Sequence, residues 1–176
     1  QADVGALEDL KAAVTMATSR FKKKIDGIFH LAGTFHECPA VEETKESLDE
    51  IFHPKVAGTI ALSRLLMDYP EAFMVGFSSI SSVFGGSMVG AYASANQFLD
   101  SYLEQGLSGG ARCYGLNWSN WRDTGMSLGL GAAREYLGEM GVRDLPVEQA
   151  LHCLQVALNQ PPGRMIIGLD AEKNYV

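Results

Sequence analysis

The sequence predicts a single α/β domain in which a doubly wound, mostly parallel sheet is covered by helices on both faces. Three observations support this fold class. Short apolar runs alternate with longer segments of helical periodicity, the apolar runs end in glycine- and hydroxyl-rich stretches, and 176 residues of 47% hydrophobic content suffice for one sizeable core. Strands that alternate with helices are joined by right-handed crossovers, and such connections produce an open parallel sheet.

Helical spacing and short uninterrupted apolar runs define the predicted elements in chain order. Helices are predicted from Leu7 to the lysines at 22–24, from Thr44 to Met67, from Gly90 to Leu107 and from Pro146 to Leu158. Strands are predicted at Ile25 to Ala32, Ala72 to Phe77, Arg112 to Trp118 and Met165 to Leu169. The lysines suit a helix C-terminus, and Pro54 is expected to kink the second helix locally.

Polar and glycine-rich segments mark where chemistry is expected, because ligands of doubly wound sheets bind outside the carboxyl ends of the strands. These segments are Gly33 to Ala40, Ser78 to Ser87 and Ser119 to Leu145. The last of them, at about 119–145, combines glycines with apolar side chains. We therefore expect it to act as a lid that covers a substrate.

Composition and charge exclude several classes of function. The formal net charge of −7 leaves no basic stripe for nucleic acid. The three cysteines are far apart and odd in number, and the four histidines show no metal-ligand spacing, so neither a disulfide framework nor a metal site is predicted. No stretch approaches the roughly 20 apolar residues of a membrane span. These features favour an acidic enzyme in the cytoplasm, without a nucleic-acid, membrane or metal partner.

Tyr92 and Asn96 lie four positions apart on a predicted helix, so their side chains share one face directly after a serine-bearing strand end. A phenol, an amide and a hydroxyl could meet there. For a tyrosine and an asparagine at this spacing, a half-buried core tyrosine and an exposed helix asparagine are much the commoner case. Ser78, Ser79, Ser81 and Ser82 could serve as turn and capping hydroxyls, and Lys55 could be a surface lysine with a buried stem.

Five segments in order carry a specific resemblance. They are IDGIFHLAG (25–33), HPKVAGT (53–59), FSSISSVFGG (77–86), AYASANQFLDSY (91–102) and LNWSNW (116–121). Together they closely resemble the ketoreductase domains of modular polyketide synthases and of hybrid peptide–polyketide synthases, which belong to the short-chain dehydrogenase/reductase superfamily. The resemblance covers essentially the whole chain and implies a Rossmann-like sheet.

The resemblance implies a catalytic tetrad of Tyr92, Ser79, Lys55 and Asn96. Ser79 is selected because the family's serine stands thirteen residues before the tyrosine. Most short-chain dehydrogenases carry a lysine four residues after the tyrosine. The polyketide ketoreductases carry asparagine there, which matches Asn96, and take their lysine from the preceding helix, which matches Lys55. The implied reaction is NADPH-dependent reduction of a β-ketoacyl thioester to the β-hydroxyacyl thioester. The implied partners are an acyl carrier protein, which holds the β-ketoacyl chain on phosphopantetheine, and the remainder of the synthase polypeptide.

The resemblance also implies cofactor contacts. Asp3, with its neighbour Val4, matches the adenine end of the cofactor site, and Ala32 and Gly33 match the turn beside the nicotinamide ribose. Lys55 and Tyr92 are expected to contact the ribose and nicotinamide.

Two departures from the family pattern limit these expectations. No glycine-rich phosphate-binding turn precedes Asp3. We therefore expect residues 1–176 to be the C-terminal portion of a catalytic domain that lacks the N-terminal strands and the glycine-rich loop. We also expect that this portion alone does not bind the cofactor tightly. The loop after Gly33 reads Thr34-Phe35-His36-Glu37-Cys38-Pro39, without the Leu-Asp-Asp of one stereochemical subset, and Phe84 stands where the opposite subset often carries tryptophan. The handedness of the product alcohol stays open.

Two alternatives remain at this point. One is a non-catalytic reductase-like domain that is retained for structure. The other is an interaction module that only docks an acyl carrier protein, without hydride transfer.

Overall fold

Four parallel strands form the centre of the computed structural model, which describes residues 2–106, 110–129 and 137–173. They lie side by side in the order β1 (Gly27–His30), β2 (Phe73–Ser79), β3 (Cys113–Trp118) and β6 (Gly163–Ile167). A separate pair of short parallel strands consists of β4 (Asn120–Trp121) and β5 (Asp144–Leu145). The parallel sheet confirms the predicted fold class.

Helices alternate with the strands as predicted. They are α1 (Leu7–Phe21), α2 (Lys45–Phe52), α3 (Gly58–Leu66), α4 (Ser81–Phe84), α5 (Gly90–Glu104) and α6 (Val147–Leu158). The sequence analysis missed α4, a single turn within the serine-rich segment, because four residues are too few for a helical period. It also extended the helix that contains α5 to Leu107, which lies outside the described residues.

Pro54 breaks the helix predicted from Thr44 to Met67. Thr44 caps α2, since its side chain accepts a hydrogen bond from the backbone amide of Ser47 at 3.2 Å. At Pro54 the missing amide and the bulky ring disrupt the regular ladder, and His53–Ala57 forms a π-helical turn before α3 begins. The predicted local kink is therefore realised as a widened turn that contains Lys55.

The sheet is buried between two helical layers. Successive side chains of β2 point to opposite faces, so neighbouring residues of this strand enter different cores. Met74 contributes to one core, in which Leu62 and Leu66 of α3 and Leu99 and Leu103 of α5 are buried. Val75 contributes to the other core with β3 and with Ala150 and Ala157 of α6. Both faces of the central strands are thus covered.

The described part of the sheet leaves one long edge of β1 without a strand partner. Phe29 on this strand and Leu31 just beyond it are apolar and exposed. An edge of this kind offers unpaired backbone groups to another strand.

The segment 119–145 is more regular than the sequence suggested. It contains β4, a 3-10 turn at Gly125–Gly129 and β5, while residues 130–136 lie outside the described part. Within the described residues no helix combines the length and apolar character needed to cross a membrane.

Truncation of Leu99 tests the core between the sheet and α5. Leu99 is 0% exposed, so Leu99→Ala should lower the free energy of unfolding by about 2–5 kcal/mol through lost burial and the cavity left behind. Val41→Ala is the control, because Val41 is 94% exposed and its truncation should cost less than about 0.5 kcal/mol. Denaturant unfolding measures both values, and equal effects would contradict the assigned core.

Candidate active site

The carboxyl ends of β2 and β3 bring the candidate residues to one edge of the sheet. Ser78 lies beside Asn117 and Ser79 beside Trp118 in the parallel register. Helix α5 packs against both strands and carries Tyr92 and Asn96 in its first two turns. The π-helical turn that contains Lys55 packs against α5. Residues from three separate parts of the sequence are therefore brought to this edge.

Tyr92 is held by packing and by polar neighbours. The ring of Phe35 packs edge-on against it, with ring centroids 5.1 Å apart and an interplanar angle of 88°. Burial raises the pKa of the Tyr92 phenol above its usual value, and hydrogen bonds with the side chains of Ser79 and Asn96 act in the opposite direction. The phenol is therefore protonated near neutral pH and ready to donate.

Lys55 is buried at this edge, with only 2% of the residue exposed. Its Nζ donates a hydrogen bond of 2.6 Å to the backbone carbonyl of Phe77 near the end of β2. Burial lowers the pKa of Lys55 to about 8, and the negative charge of Asp100 partly opposes this effect. The surface-lysine alternative is therefore wrong, because both the stem and the ammonium group are enclosed.

Asn96 is fully buried beside Tyr92. Its Nδ2 donates to the backbone carbonyl of Tyr92 at 2.9 Å, within the same helix. Its Oδ1 is buried and has no hydrogen-bond partner among the described residues. A buried amide oxygen without a partner is costly, so Oδ1 is available to accept a hydrogen bond from an ammonium group or from a water molecule. The alternative of an exposed helix asparagine is wrong.

The four serines after β2 have different surroundings. Ser79 Oγ accepts hydrogen bonds from the backbone amide of Ser81 at 3.2 Å and from its hydroxyl at 2.9 Å, while also meeting Tyr92. Ser78 and Ser82 are bound instead to Asn117 in the interior. The structure therefore distinguishes Ser79 as the serine beside the tyrosine.

The residues expected at the cofactor are spread along the same edge. Asp3 Oδ1 lies 2.8 Å from Nε2 of His53 and accepts the backbone amide of Gly5 at 2.8 Å. The hydrogen bond with His53 is the main reason that the pKa of Asp3 is lowered. Asp3 is thus already engaged by a histidine that the sequence analysis did not assign. Val4 lies against α3, since a Cβ added to Gly58 would come within 3.1 Å of its Cγ1.

Ala32 and Gly33 follow the end of β1, and Gly33 lies directly against the lysine. A Cβ at Gly33 would come within 3.1 Å of Lys55 Cε and 3.7 Å of Nζ. The absence of a side chain therefore leaves room beside the ammonium group. Together with Asn96 Oδ1, which has no partner among the described residues, the side-chain-free backbone beside the ammonium group fits the polar ribose end of a nicotinamide cofactor in chemical character.

Two groups of residues escaped the sequence analysis. His36, Cys38 and Glu43 bring three possible ligand atoms within 4.8 Å of one another, although their sequence spacing did not suggest it. His36 Nε2 already lies 3.0 Å from Glu43 Oε1, which braces the loop that carries Phe35. The second group surrounds Asp100 behind the site. The sequence signal for this group was the position of Asp100 four residues after Asn96, which places both side chains on the same, inward face of α5.

Comparison with known proteins identifies the family. A family model described as the KR domain matches residues 1–123. The cluster 41 polyketide synthase of Aspergillus flavus is 32% identical over 142 residues, which cover 76% of this chain and 13% of that protein. Erythronolide synthase EryA3 of Saccharopolyspora erythraea is 32% identical over 158 residues, which cover 90% of this chain and 5% of that protein. The chain thus spans a small part of these relatives.

Solved structures agree with the sequence comparison. An A1-type ketoreductase superposes with a TM-score of 0.85 at 27% identity, covering 95% of this chain and 35% of that chain. A second structure contains the adenylation, ketoreductase and pseudo Asub domains of a keto acid-selecting NRPS module. It superposes with a TM-score of 0.89 at 27% identity, covering 99% of this chain and 15% of that chain. The family and the Rossmann-like fold expected from the sequence are both confirmed. The chain belongs to the KR domain family and is a ketoreductase domain of the modular polyketide synthase kind.

Proposed function

We propose that the chain contains the reducing site of an NADPH-dependent ketoreductase, which converts a β-ketoacyl thioester on an acyl carrier protein to the β-hydroxyacyl thioester within a polyketide synthase. The observation that carries the proposal is that Tyr92, which neighbours the side chains of Ser79 and Asn96, lies on a helix packed against the turn that bears the buried Lys55. The remainder of the synthase polypeptide and the carrier protein are the proposed partners, and the cytoplasm is the proposed location.

Bound NADPH supplies the hydride that reduces the ketone carbon. The residues of this chain act on the ketone oxygen, where negative charge develops as the carbonyl is reduced. Ser79 and Tyr92 donate hydrogen bonds to that oxygen, and such preorganised donors stabilise the developing charge. Tyr92 then transfers its phenolic proton to the oxygen, so that the alcohol forms and a phenolate remains.

Lys55 makes the proton transfer favourable. A protonated ammonium group stabilises the phenolate, and the pKa of about 8 keeps Lys55 largely protonated at neutral pH. The space at Gly33 lets the same group also hold the nicotinamide ribose. Asn96 Oδ1 accepts a hydrogen bond from Lys55 or from a water molecule that returns a proton to Tyr92.

Asp3, Val4, Ala32 and Gly33 line the proposed cofactor path, while the segment at 119–145 is the proposed substrate lid. Part of that segment lies outside the described residues, and its described part begins at the carboxyl end of β3. A purely structural or carrier-docking role is the second candidate. The enclosed lysine favours catalysis, since burying a charge costs stability and has no use in a scaffold.

Tyr92→Phe should lower kcat at least about 100-fold, because it removes the proton donor and keeps the ring. Cofactor affinity should remain nearly unchanged. The measurement is NADPH-dependent reduction of a β-ketoacyl N-acetylcysteamine thioester by the full-length protein, followed by the loss of NADPH absorbance. Tyr102→Phe is the matched control on the same helix, where the hydroxyl bonds to Ser63 at 2.9 Å. Near wild-type turnover of Tyr92→Phe would refute the proposal.

Lys55→Met should lower both kcat and NADPH affinity, each by about tenfold or more, since one ammonium group serves the phenolate and the ribose. Steady-state kinetics and NADPH fluorescence titration of the full-length protein measure the two effects. Lys45→Met, which removes an exposed lysine, should change neither. Normal cofactor binding together with normal turnover in Lys55→Met would remove Lys55 from the mechanism.

The 176-residue chain alone should bind NADPH only weakly, with a Kd well above the low micromolar range. The 176 residues contain no glycine-rich turn for the pyrophosphate, and among the described residues one edge of β1 has no strand partner while apolar side chains near it are exposed. Titration of the isolated chain with NADPH, followed by nicotinamide fluorescence, measures the affinity. Low micromolar binding would show that residues 1–176 suffice for the cofactor.

A further inference from the structure

A cluster of polar side chains is buried behind the reducing site. We call it the Asp100 cluster, and its members are Ser78, Ser82, Asp100, Asn117 and Arg164. Asp100 Oδ2 accepts three hydrogen bonds, from Ser82 Oγ at 2.6 Å, from Asn117 Nδ2 at 2.6 Å and from Arg164 Nη2 at 2.9 Å. Asn117 Oδ1 accepts a fourth from Arg164 Nε at 2.9 Å. Asp100 and Asn117 are both fully buried.

The cluster joins five elements of the fold. Ser78 is the next-to-last residue of β2, Ser82 lies on α4, Asp100 on α5, Asn117 on β3 and Arg164 on β6. Apolar side chains of similar volume could pack these elements together without the cost of burying a charge. Hydrogen bonds of fixed length and direction instead specify one relative placement of the elements.

The cluster fixes the backbone of Ser79. The Ser79 carbonyl oxygen lies 2.8 Å from Ser82 Oγ and 3.2 Å from Asn117 Nδ2. The single hydroxyl hydrogen of Ser82 is shared between this oxygen and Asp100 Oδ2. The peptide that bears the proposed oxyanion donor is therefore held from two sides. The Ser79 side chain is also a neighbour of the Tyr92 phenol.

The cluster also fixes the depth of α5. Asp100 follows Tyr92 by eight residues and Asn96 by four, so all three lie on one face of the helix. The Cα of Gly115 on β3 faces Asp100, and a Cβ there would lie 3.8 Å from Asp100 Oδ1. A shift of α5 along its axis would move Tyr92 by the same distance and would break the bonds of Asp100.

The charge of Asp100 also affects the reducing site. The carboxylate of Asp100 favours the protonated form of Lys55, against the effect of burial. The other titratable groups around Lys55 are Tyr92 on α5, His30 on β1 and His53 on the same turn. His30 is neutral, because burial lowers its pKa to about 3 with a further contribution from Lys55, and His53 is engaged by Asp3. Arg164 neutralises part of the Asp100 charge from the outer side.

We propose that the Asp100 cluster is the positioning unit of the reducing site: it holds Ser79 and α5 in register, and the charges of its Asp100–Arg164 pair act on Lys55, whose turn packs against α5. The inference rests on the proposed function, because it assigns these residues an effect on the proposed proton transfer. Asp100, Asn117 and Arg164 are positioning residues, since they act through Ser79, Tyr92 and Lys55 and do not touch the substrate.

Two substitutions at the ends of the pair should shift the pH profile in opposite directions. Turnover requires protonated Lys55 and therefore falls as pH rises through its pKa. Asp100→Asn removes a negative charge, lowers that pKa and should move the falling limb to lower pH by about half a unit or more. Arg164→Gln leaves the Asp100 charge less neutralised, raises the pKa of Lys55 and should move the limb to higher pH. Both variants should also lower kcat more than they raise KM.

The experiment uses the full-length protein and two readouts between pH 6 and 10. The first is the kcat profile for reduction of the β-ketoacyl thioester, and the second is NADPH affinity by fluorescence, which does not depend on turnover. Glu104→Gln is the matched control, because it removes an exposed negative charge from α5 that lies 3.5 Å from Arg164. It should shift either profile by less than about 0.2 unit.

Each outcome decides the inference. Opposite shifts for Asp100→Asn and Arg164→Gln support it, and a general loss of stability would not produce opposite signs. If Asp100→Asn does not fold, the upward shift of Arg164→Gln still decides, because Arg164 lies at the partly exposed end of the cluster. Unshifted profiles, or shifts of the same sign, in an active protein would overturn the inference and leave the proposed function intact. A wild-type protein that neither binds NADPH nor reduces the thioester would overturn the proposed function and the inference together.

Discussion

The burial of one ammonium group at the carboxyl edge of the sheet constrains the rest of this site. Lys55 Nζ lies 2.6 Å from the carbonyl of Phe77, and water has almost no access to it. A charge in such a place is tolerated only when nearby dipoles and opposite charges offset its lost hydration. The end of β2, the π-helical turn and Asp100 provide this compensation. Their placement in turn fixes where Tyr92 and Ser79 must lie.

The parallel sheet explains why residues from distant parts of the sequence can meet this constraint. Its strands all present their carboxyl ends to the same edge, so the chain returns to that edge after each crossover. Helix α5 then spans the distance between the buried polar cluster and the reacting groups. One rigid element thereby connects Asp100, which is bonded to β3 and β6, with Asn96 and Tyr92 at the opening. Packing of the helix and the placement of Asn96 and Tyr92 are consequently coupled.

The periodicity of the sequence was sufficient to predict the alternating strands and helices, because apolar spacing depends on local geometry. It could not distinguish an enclosed lysine from an exposed one, and only the family resemblance selected Lys55 and Ser79. Asp100 escaped notice although it follows Asn96 by four residues, because a carboxylate on a helix face does not indicate which side chains it will meet. Its hydrogen-bond partners come from three other elements, and their meeting depends on sheet order and register. The π-helical turn at His53–Ala57 was predicted only as a local kink, because Pro54 indicates that the helix is disrupted but not which form the turn takes.

The transfer of deuterium tests the central claim most directly. The full-length protein would be supplied with NADPH that carries deuterium at both C4 positions and with a β-ketoacyl thioester, and the product would be analysed by mass spectrometry. The account predicts a β-hydroxyacyl thioester that contains one deuterium on the β-carbon. A thioester recovered without deuterium, from a protein shown to be folded, would contradict the assignment of a reducing site to Tyr92, Ser79, Lys55 and Asn96.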